Sequence, residues 1–171
     1  WITRPNPGPH SFNKSLPLSV IFTELLKYTL TTKEVKSILK QGNVLVNGKS
    51  RVDYKFPVGV LDVLEFPEDE YYRLLFNERG KFSLKKIDKK EKETIFFKVA
   101  NKKIIKKNKL QLNFDNGNNV LTDNKDVKTN DVVLLEKDKI KEVLKFEKGA
   151  FVYLIGGRHV GASGKLEKIE D

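Results

Sequence analysis

The apolar positions between residues 18 and 40 predict two short helices. In the first, apolar residues recur at spacings of three and four, the period of one helix face: Leu18, Ile21, Phe22, Leu25 and Leu26. Thr31 and Glu34 stand three residues apart, as the two members of a capping box do, so a second helix is expected to begin there. Gly42 is placed to terminate that helix.

The second predicted helix carries lysines opposite its apolar stripe. The apolar positions are Val35, Ile38 and Leu39. The lysines recur at helical spacing on the other side: Lys33, Lys36 and Lys40. This division predicts a helix that buries one face and presents a positively charged face to its surroundings.

After Gly42 the apolar period falls to two, which predicts strands. Val44 and Val46 alternate with other positions, and Asn47-Gly48 is a strong hairpin-turn signal because both residues tolerate positive φ. A turn is expected at residues 57–59, and a strand at 60–66.

Residues 67–148 are predicted to be rich in strands. A hairpin is expected from strands at 71–76 and 81–87, followed by a charged connector at 85–92. Further strands are expected at 94–99, 109–114, 131–136 and 139–146. The segment 102–109 contains five lysines, and Ile104 and Ile105 among them are expected to tether it to a core.

Both ends of the chain differ from this pattern. Residues 1–15 contain Pro5, Pro7 and Pro9, which disfavour helix, so we expect an irregular arm that is ordered only against a partner. From residue 149 onward glycines accumulate. A short strand at 151–155 and its partner at 165–169 are expected to flank a glycine-rich loop that holds Arg158 and His159.

The charge is positive and unevenly distributed. The chain has 33 Lys and Arg against 23 Asp and Glu, and residues 1–60 alone hold nine basic and three acidic residues. A positive field concentrated on particular segments indicates a polyanion as partner, either nucleic acid or an anionic membrane. No apolar run approaches the roughly 18–20 residues of a membrane span, and no basic helix has a wide apolar face, so nucleic acid is favoured.

The chain lacks the residues or motifs that several kinds of catalysis require. There is no cysteine, and His10 and His159 have no second ligand nearby at metal spacing. The glycine-lysine segment at 42–50 has five residues between its glycines, where a phosphate-binding loop has four, and leads into a strand instead of a helix. We expect no cofactor, no metal, no small-molecule substrate and no catalytic residue. The chain has no methionine, so we expect a processed or partial polypeptide with truncated ends.

Residues 16–66 resemble the small αL-type RNA-binding domain. Over nearly the whole chain, further motifs follow in order: Arg4-Pro5-x-x-Gly8-Pro9-His10, Val46-x-Gly48-Lys49-x-Arg51-x-Asp53, Phe56-Pro57-x-Gly59 and Gly156-Gly157-x-x-x-Gly161-x-x-Gly164. This arrangement resembles the S4e family of small-subunit ribosomal proteins of eukaryotes and archaea. The resemblance implies a non-enzymatic, structural protein that binds small-subunit ribosomal RNA beside neighbouring ribosomal proteins.

The resemblance also implies a fold and a set of contacts. The expected fold is α+β, with an N-terminal arm at 1–15, an αL-type domain at 16–66, a β-rich central domain at 67–148 and an incomplete KOW-type β barrel at 149–171. The RNA-binding residues it implies are Arg4, His10, Lys14, Lys27, Lys33, Lys36, Lys40, Asn47, Lys49, Arg51, Arg158 and His159. The location would be the cytoplasmic ribosome, with nucleolar assembly in a eukaryote. An RNA-modifying enzyme that docks through the αL-type domain stays open as the alternative.

Overall fold

The computed structural model describes residues 2–105, 109–124, 126–136 and 139–169. Lys106 and Lys107 of the predicted lysine run lie outside the described residues, as do the last two positions of the predicted barrel. The fold is α+β, rich in strands with few helices. No helix among the described ranges has the length and apolar character needed to cross a membrane.

Two helical segments open the fold, as predicted. Helix α1 (Leu18–Val20) continues directly into a π-helical turn (Ile21–Leu25), and helix α2 spans Thr32–Lys40. The capping box of α2 is present: the Thr31 hydroxyl accepts from the Glu34 backbone N–H, and the Glu34 carboxylate accepts from the Thr31 N–H. Gly42 follows the helix with φ of +75°, a conformation that glycine adopts without strain.

The helices pack on a five-stranded antiparallel sheet, the first sheet, with strand order β3-β2-β5-β6-β7. Its strands are β2 (Leu45–Val46), β3 (Lys49–Ser50), β5 (Val63–Phe66), β6 (Glu70–Phe76) and β7 (Phe82–Lys86). The shared core contains Leu18, Ile21, Phe22, Val35, Leu39, Val44, Val46, Leu64 and Leu74. The sheet therefore crosses the expected domain boundary between residues 66 and 67, because β6 and β7 complete the sheet on which the helices pack.

The predicted turn at residues 57–59 is instead a strand. Strand β4 (Pro57–Gly59) is fully buried and pairs antiparallel with β1 (Ser15–Pro17), which directly follows a 3-10 turn at Phe12–Lys14. Leu61 has φ of +73°, so the chain turns there and the next strand begins only at Val63. The local Pro-Val-Gly sequence is typical of a turn, but the hydrogen bonds that make this segment a strand come from β1, which is distant in sequence.

A second antiparallel sheet follows, with strand order β10-β9-β8-β11-β12. Its strands are β8 (Ile95–Ile104), β9 (Leu110–Phe114), β10 (Asn119–Thr122), β11 (Val132–Glu136) and β12 (Lys139–Leu144). The core of this sheet includes Phe97, Val99, Leu112, Phe114 and Val133. Ile104 and Ile105 are exposed, so the expectation that they tether the lysine run to a core is wrong.

Arg73 connects the two sheets. It is buried on β6, and its Nη2 donates to the carbonyl oxygens of Glu91 (3.0 Å) and Thr94 (2.9 Å) in the connector that leads to β8. That connector contains helix α3 (Lys89–Lys92), and the Arg73 guanidinium also lies 4.8 Å from the centre of the Phe96 ring. The connector is therefore attached to the first sheet instead of running free through solvent.

The C-terminal segment forms a two-stranded sheet of β13 (Phe151–Tyr153) and β14 (Ser163–Lys165). The partner strand lies earlier in the chain than the expected 165–169, since Phe151 pairs with Lys165 and Tyr153 with Ser163. This segment contacts the β6–β7 hairpin. The Tyr153 hydroxyl donates to the Phe76 carbonyl (2.9 Å) and accepts from the Phe76 N–H (2.7 Å).

Gly161 sits where the glycine loop meets the β6–β7 hairpin. A Cβ there would lie 2.0 Å from the Asn77 carbonyl oxygen, and φ is +88°. We expect Gly161→Ala to detach the loop from the hairpin, at a cost of more than about 1 kcal/mol. Hydrogen exchange at the Leu154 amide, which donates to Ala162, should accelerate.

Gly164→Ala is the matched control for that substitution. Gly164 has no neighbour within 4 Å of an added Cβ and no positive φ. Exchange at Leu154 should be nearly unchanged in this variant. Equal acceleration in both variants would show that the contact with Asn77 does not hold the loop.

Candidate nucleic-acid interface

The lysines of α2 are exposed because the opposite face of the helix is buried. Val35 and Leu39 have no solvent exposure, which fixes the rotation of the helix about its axis. The three lysines on the other face are all exposed: Lys33, Lys36 and Lys40. We call these the α2 lysine face. Three like charges on about two turns form a positive strip that suits a polyanion.

Aromatic rings extend the α2 lysine face into the segment after β3. Lys36 Nζ lies 4.4 Å from the centre of the Tyr54 ring, and Lys55 Nζ lies 5.6 Å from the same ring. Arg51 is half-buried and its guanidinium lies 4.3 Å from the centre of the Phe56 ring. Cation–π contacts of this kind hold long basic side chains in defined places.

The Asn47-Gly48 turn joins β2 and β3 as predicted. Both residues have positive φ, +51° and +73°, which is the conformation of a type I′ hairpin turn. Lys49, directly after the turn, is exposed. The turn therefore presents Lys49 at the end of the hairpin.

The side chain of Asn47 makes hydrogen bonds within the protein. Its Nδ2 donates to Asp62 Oδ1 (2.7 Å), and its Oδ1 accepts from the Val63 N–H (2.9 Å). Asp62 is buried, and its other oxygen, Oδ2, accepts from the Gly59 N–H (2.8 Å). Asn47 thus ties the β2–β3 turn to the segment before β5, and its expected RNA contact stays a prediction.

The side chain of His10 contacts the same carboxylate, that of Asp62. Its Nε2 lies 2.8 Å from Asp62 Oδ2, and its ring packs against Gly59, where a Cβ would lie 2.2 Å from Nδ1. Asn6 adds a hydrogen bond from its N–H to the Lys55 carbonyl (2.9 Å). The N-terminal arm therefore lies against the chain's own residues, contrary to the expectation that only a partner would order it.

Burial and charge act in opposite directions on the His10 imidazole. Burial lowers the pKa of His10, but the hydrogen bond and charge of Asp62, with the charge of Asp115, raise it above the usual 6.5. A raised pKa means that the folded protein binds the proton more tightly than the unfolded chain does. The stabilisation is fully present below pH 6.5 and is lost as pH rises through the raised pKa.

We therefore expect the effect of His10→Gln on the free energy of unfolding to depend on pH. Glutamine keeps a neutral donor for Asp62 but lacks both the charge and the ring that packs against Gly59, so the free energy of unfolding should fall by about 1–2 kcal/mol at pH 6. At pH 9 the difference from the unsubstituted protein should be smaller, because the charge contributes less as pH rises through the raised pKa of His10. Urea denaturation at a series of pH values measures this, and a difference independent of pH would contradict the role of the charged imidazole.

The remaining residues of the expected contact set lie at other places on the surface. Arg4 is exposed, and its guanidinium lies 5.5 Å from the centre of the Phe12 ring. Lys14 is exposed at the end of the 3-10 turn, and Lys27 is exposed with φ of +56° after the π-helical turn. Arg158 and His159 are exposed on the glycine loop. No described contact joins Lys27 or the glycine loop to the α2 lysine face.

Two groups of basic or aromatic residues were missed in the sequence. The sequence pattern did not place Tyr54 and Lys55 beside Lys36. The signal that could have indicated them is the pair of aromatic residues Tyr54 and Phe56, which flank Lys55. Arg79 and Lys81 are exposed on the β6–β7 hairpin, against which the glycine loop packs. Only the folded chain places that hairpin and loop together.

Comparison with known proteins agrees with this picture. Residues 68–141 match the model of the ribosomal family S4e. The chain is 40% identical to the small ribosomal subunit protein eS4 of Methanococcus maripaludis, over 100% of this chain and 74% of that protein. It is 41% identical to eS4 of Nanoarchaeum equitans, over 99% of this chain and 73% of that protein.

A solved structure shows the same fold. The crystal structure of the 30S ribosomal protein S4e from Thermoplasma acidophilum matches with a TM-score of 0.80 and 34% identity, over 92% of this chain and 83% of that chain. The fold and the named relatives define a ribosomal protein of the small subunit. The chain belongs to the ribosomal family S4e. This family is structural, and the alternative of an RNA-modifying enzyme finds no support.

Proposed function

We propose that the chain is a structural constituent of the small ribosomal subunit that binds ribosomal RNA through the α2 lysine face and its surroundings. The observation that carries this proposal is the exposure of three lysines opposite the buried Val35 and Leu39, continued by Lys55 and Arg51 on aromatic rings. Neighbouring small-subunit proteins are further partners. The relatives named above are archaeal, so nucleolar assembly finds no support.

The contacts we propose are mainly to the RNA backbone. Lysine and arginine side chains neutralise phosphates and fix the protein's register, while folded RNA is recognised by its shape and 2′-hydroxyls. The proposed contacts are Arg4, Lys14, Lys27, Lys33, Lys36, Lys40, Lys49, Arg51, Lys55, Arg158 and His159. His10 and Asn47 act through Asp62 and position the arm and the hairpin.

We also propose a domain organisation that revises the expected one. The αL-type unit is extended by β6 and β7, because these strands share its sheet and its core. The central β-rich unit then begins at β8. The two-stranded C-terminal sheet is proposed as part of a KOW-type barrel, supported by its glycine-rich loop and its exposed Phe151.

Sedimentation of a cell lysate tests the proposed function. A tagged copy of the chain should sediment with small ribosomal subunits at moderate salt and be released as the salt concentration rises. Recovery of the chain at the top of the gradient, away from the subunits, would contradict the proposal.

A further inference from the structure

A cavity of about 400 Å³ lies between the N-terminal arm and the segment before β4. Its volume falls within the range of small-ligand sites, about 300–1,000 Å³. The lining residues include Arg4, Asn6, His10, Phe12 and Lys55, together with two prolines of the arm.

Contacts with the rest of the chain hold the arm in place beside the cavity. Asn6 is bonded twice, through its N–H to the Lys55 carbonyl and through Nδ2 to Asp53 Oδ2, both at 2.9 Å. At Gly8 an added Cβ would lie 2.5 Å from the Pro57 side chain, so only glycine allows the arm to pass there. These contacts hold the arm against residues 53–57 beside the cavity.

The chemistry of the lining is cationic and aromatic. Arg4 and Lys55 supply two positive charges, and no carboxylate is among the described residues that line the cavity. Phe12 is 61% exposed, although a phenylalanine in a folded chain is usually buried. The phenyl ring and the guanidinium plane of Arg4 are the two kinds of surface on which unpaired bases stack, and Lys55 can neutralise a phosphate.

We propose that this cavity takes one unpaired nucleotide of the RNA, with its base stacked on Phe12 and its phosphate at Arg4 and Lys55. The inference rests on the proposed function, since it names the element of the RNA that the arm recognises. A base inside a duplex is paired and stacked on its neighbours, so only an extruded or looped nucleotide can enter. The arm would then make the chain prefer RNA with an unpaired nucleotide, whereas the α2 lysine face contacts only the RNA backbone.

A pair of RNA probes tests this inference on the full chain. One probe is a regular RNA duplex, and the other is the same duplex with a single unpaired uridine. The chain should bind the second probe about tenfold more tightly, because base–aromatic stacking contributes that much. Phe12→Ala should abolish the preference, and Phe12→Trp should retain it, since tryptophan keeps a stacking surface.

Phe151→Ala is the matched control, because Phe151 is 73% exposed and does not line the cavity. It should keep the preference, and circular dichroism should show all variants folded. Equal binding of both probes by the unsubstituted chain, or an unchanged preference in Phe12→Ala, would overturn the inference. Free uridine monophosphate that binds with the same affinity as the bulged RNA would also overturn it, by assigning the cavity to free nucleotides.

The test separates this inference from the proposed function. If the unsubstituted chain binds neither probe and no small-subunit ribosomal RNA at low salt, the proposed function fails. If it binds both probes equally well, the proposed function stands and only the assignment of the cavity fails.

Discussion

Replacing Lys33, Lys36 and Lys40 together by glutamate is expected to weaken binding to small-subunit ribosomal RNA by about 100-fold or more. A hydrogen bond to a charged group contributes roughly 1.5–3 kcal/mol, and each reversal also places a negative charge near phosphates. Even about 1 kcal/mol for each position gives that factor, since 1.4 kcal/mol is tenfold in affinity. Filter binding at fixed salt concentration measures the change.

The triple substitution should leave the fold intact. The three side chains are exposed, and neither the Thr31–Glu34 capping box nor the buried Val35 and Leu39 is altered. Circular dichroism should therefore show the same helix content. A variant that loses RNA binding because it unfolds would contradict the assignment of the two faces of α2.

A second triple variant controls for net charge. Lys128, Lys145 and Lys148 are exposed and lie outside the proposed contact set, so changing them to glutamate removes the same total charge. We expect this variant to lose less than about tenfold in affinity, because charges distant from the RNA are screened within roughly 10 Å at 0.1 M salt. Equal losses in the two variants would mean that net charge alone drives binding.

Asp62→Ala is expected to lower the free energy of unfolding by about 3–5 kcal/mol, the range seen when one partner of a buried ion pair is removed. Asp62 is 4% exposed and accepts from Asn47, His10 and the Gly59 N–H. Its removal leaves three donors without their acceptor. Urea denaturation measures the loss.

Asp53→Ala is the matched control for that prediction. Asp53 is exposed and accepts from the Asn6 side chain and the Lys55 N–H, so its removal should cost less than about 1 kcal/mol. Both variants shorten an aspartate to alanine near the arm, but only one leaves buried donors unpaired. Similar losses of stability in the two would contradict the central role given to Asp62.

Short-range features of this fold were predictable from the sequence. The capping box of α2, its two faces, the Asn47-Gly48 turn and the hairpin at residues 71–87 all depend on residues fewer than about twenty positions apart. Each follows from a local rule about side-chain spacing or backbone conformation. The structure confirms each of these features.

Features that depend on distant partners were not predictable. The local pattern of β4 predicts a turn because its hydrogen-bond partner, β1, lies about forty positions away. The first sheet crosses the expected boundary after residue 66, because β5 and β6 are consecutive, paired strands of that sheet. A local pattern identifies a strand, but it does not say which sheet the strand joins.

The candidate site divides in the same way. The α2 lysine face follows from helical spacing, whereas Tyr54 and Lys55 join it only through the folding of the segment after β3. The family resemblance implies RNA contacts for His10 and Asn47, and these contacts stay predictions. In the structure the side chains of both residues contact Asp62, which lies 52 positions from His10 and 15 positions from Asn47. Rules based on local spacing do not predict such contacts.

The salt dependence of RNA binding tests the central claim most directly. If several cations of this face contact phosphates, the logarithm of the association constant should fall linearly with the logarithm of salt concentration, with a slope of about −4 or steeper. The slope should become shallower by about three in the variant with glutamate at Lys33, Lys36 and Lys40. A slope near zero, or the same slope in both proteins, would contradict the account.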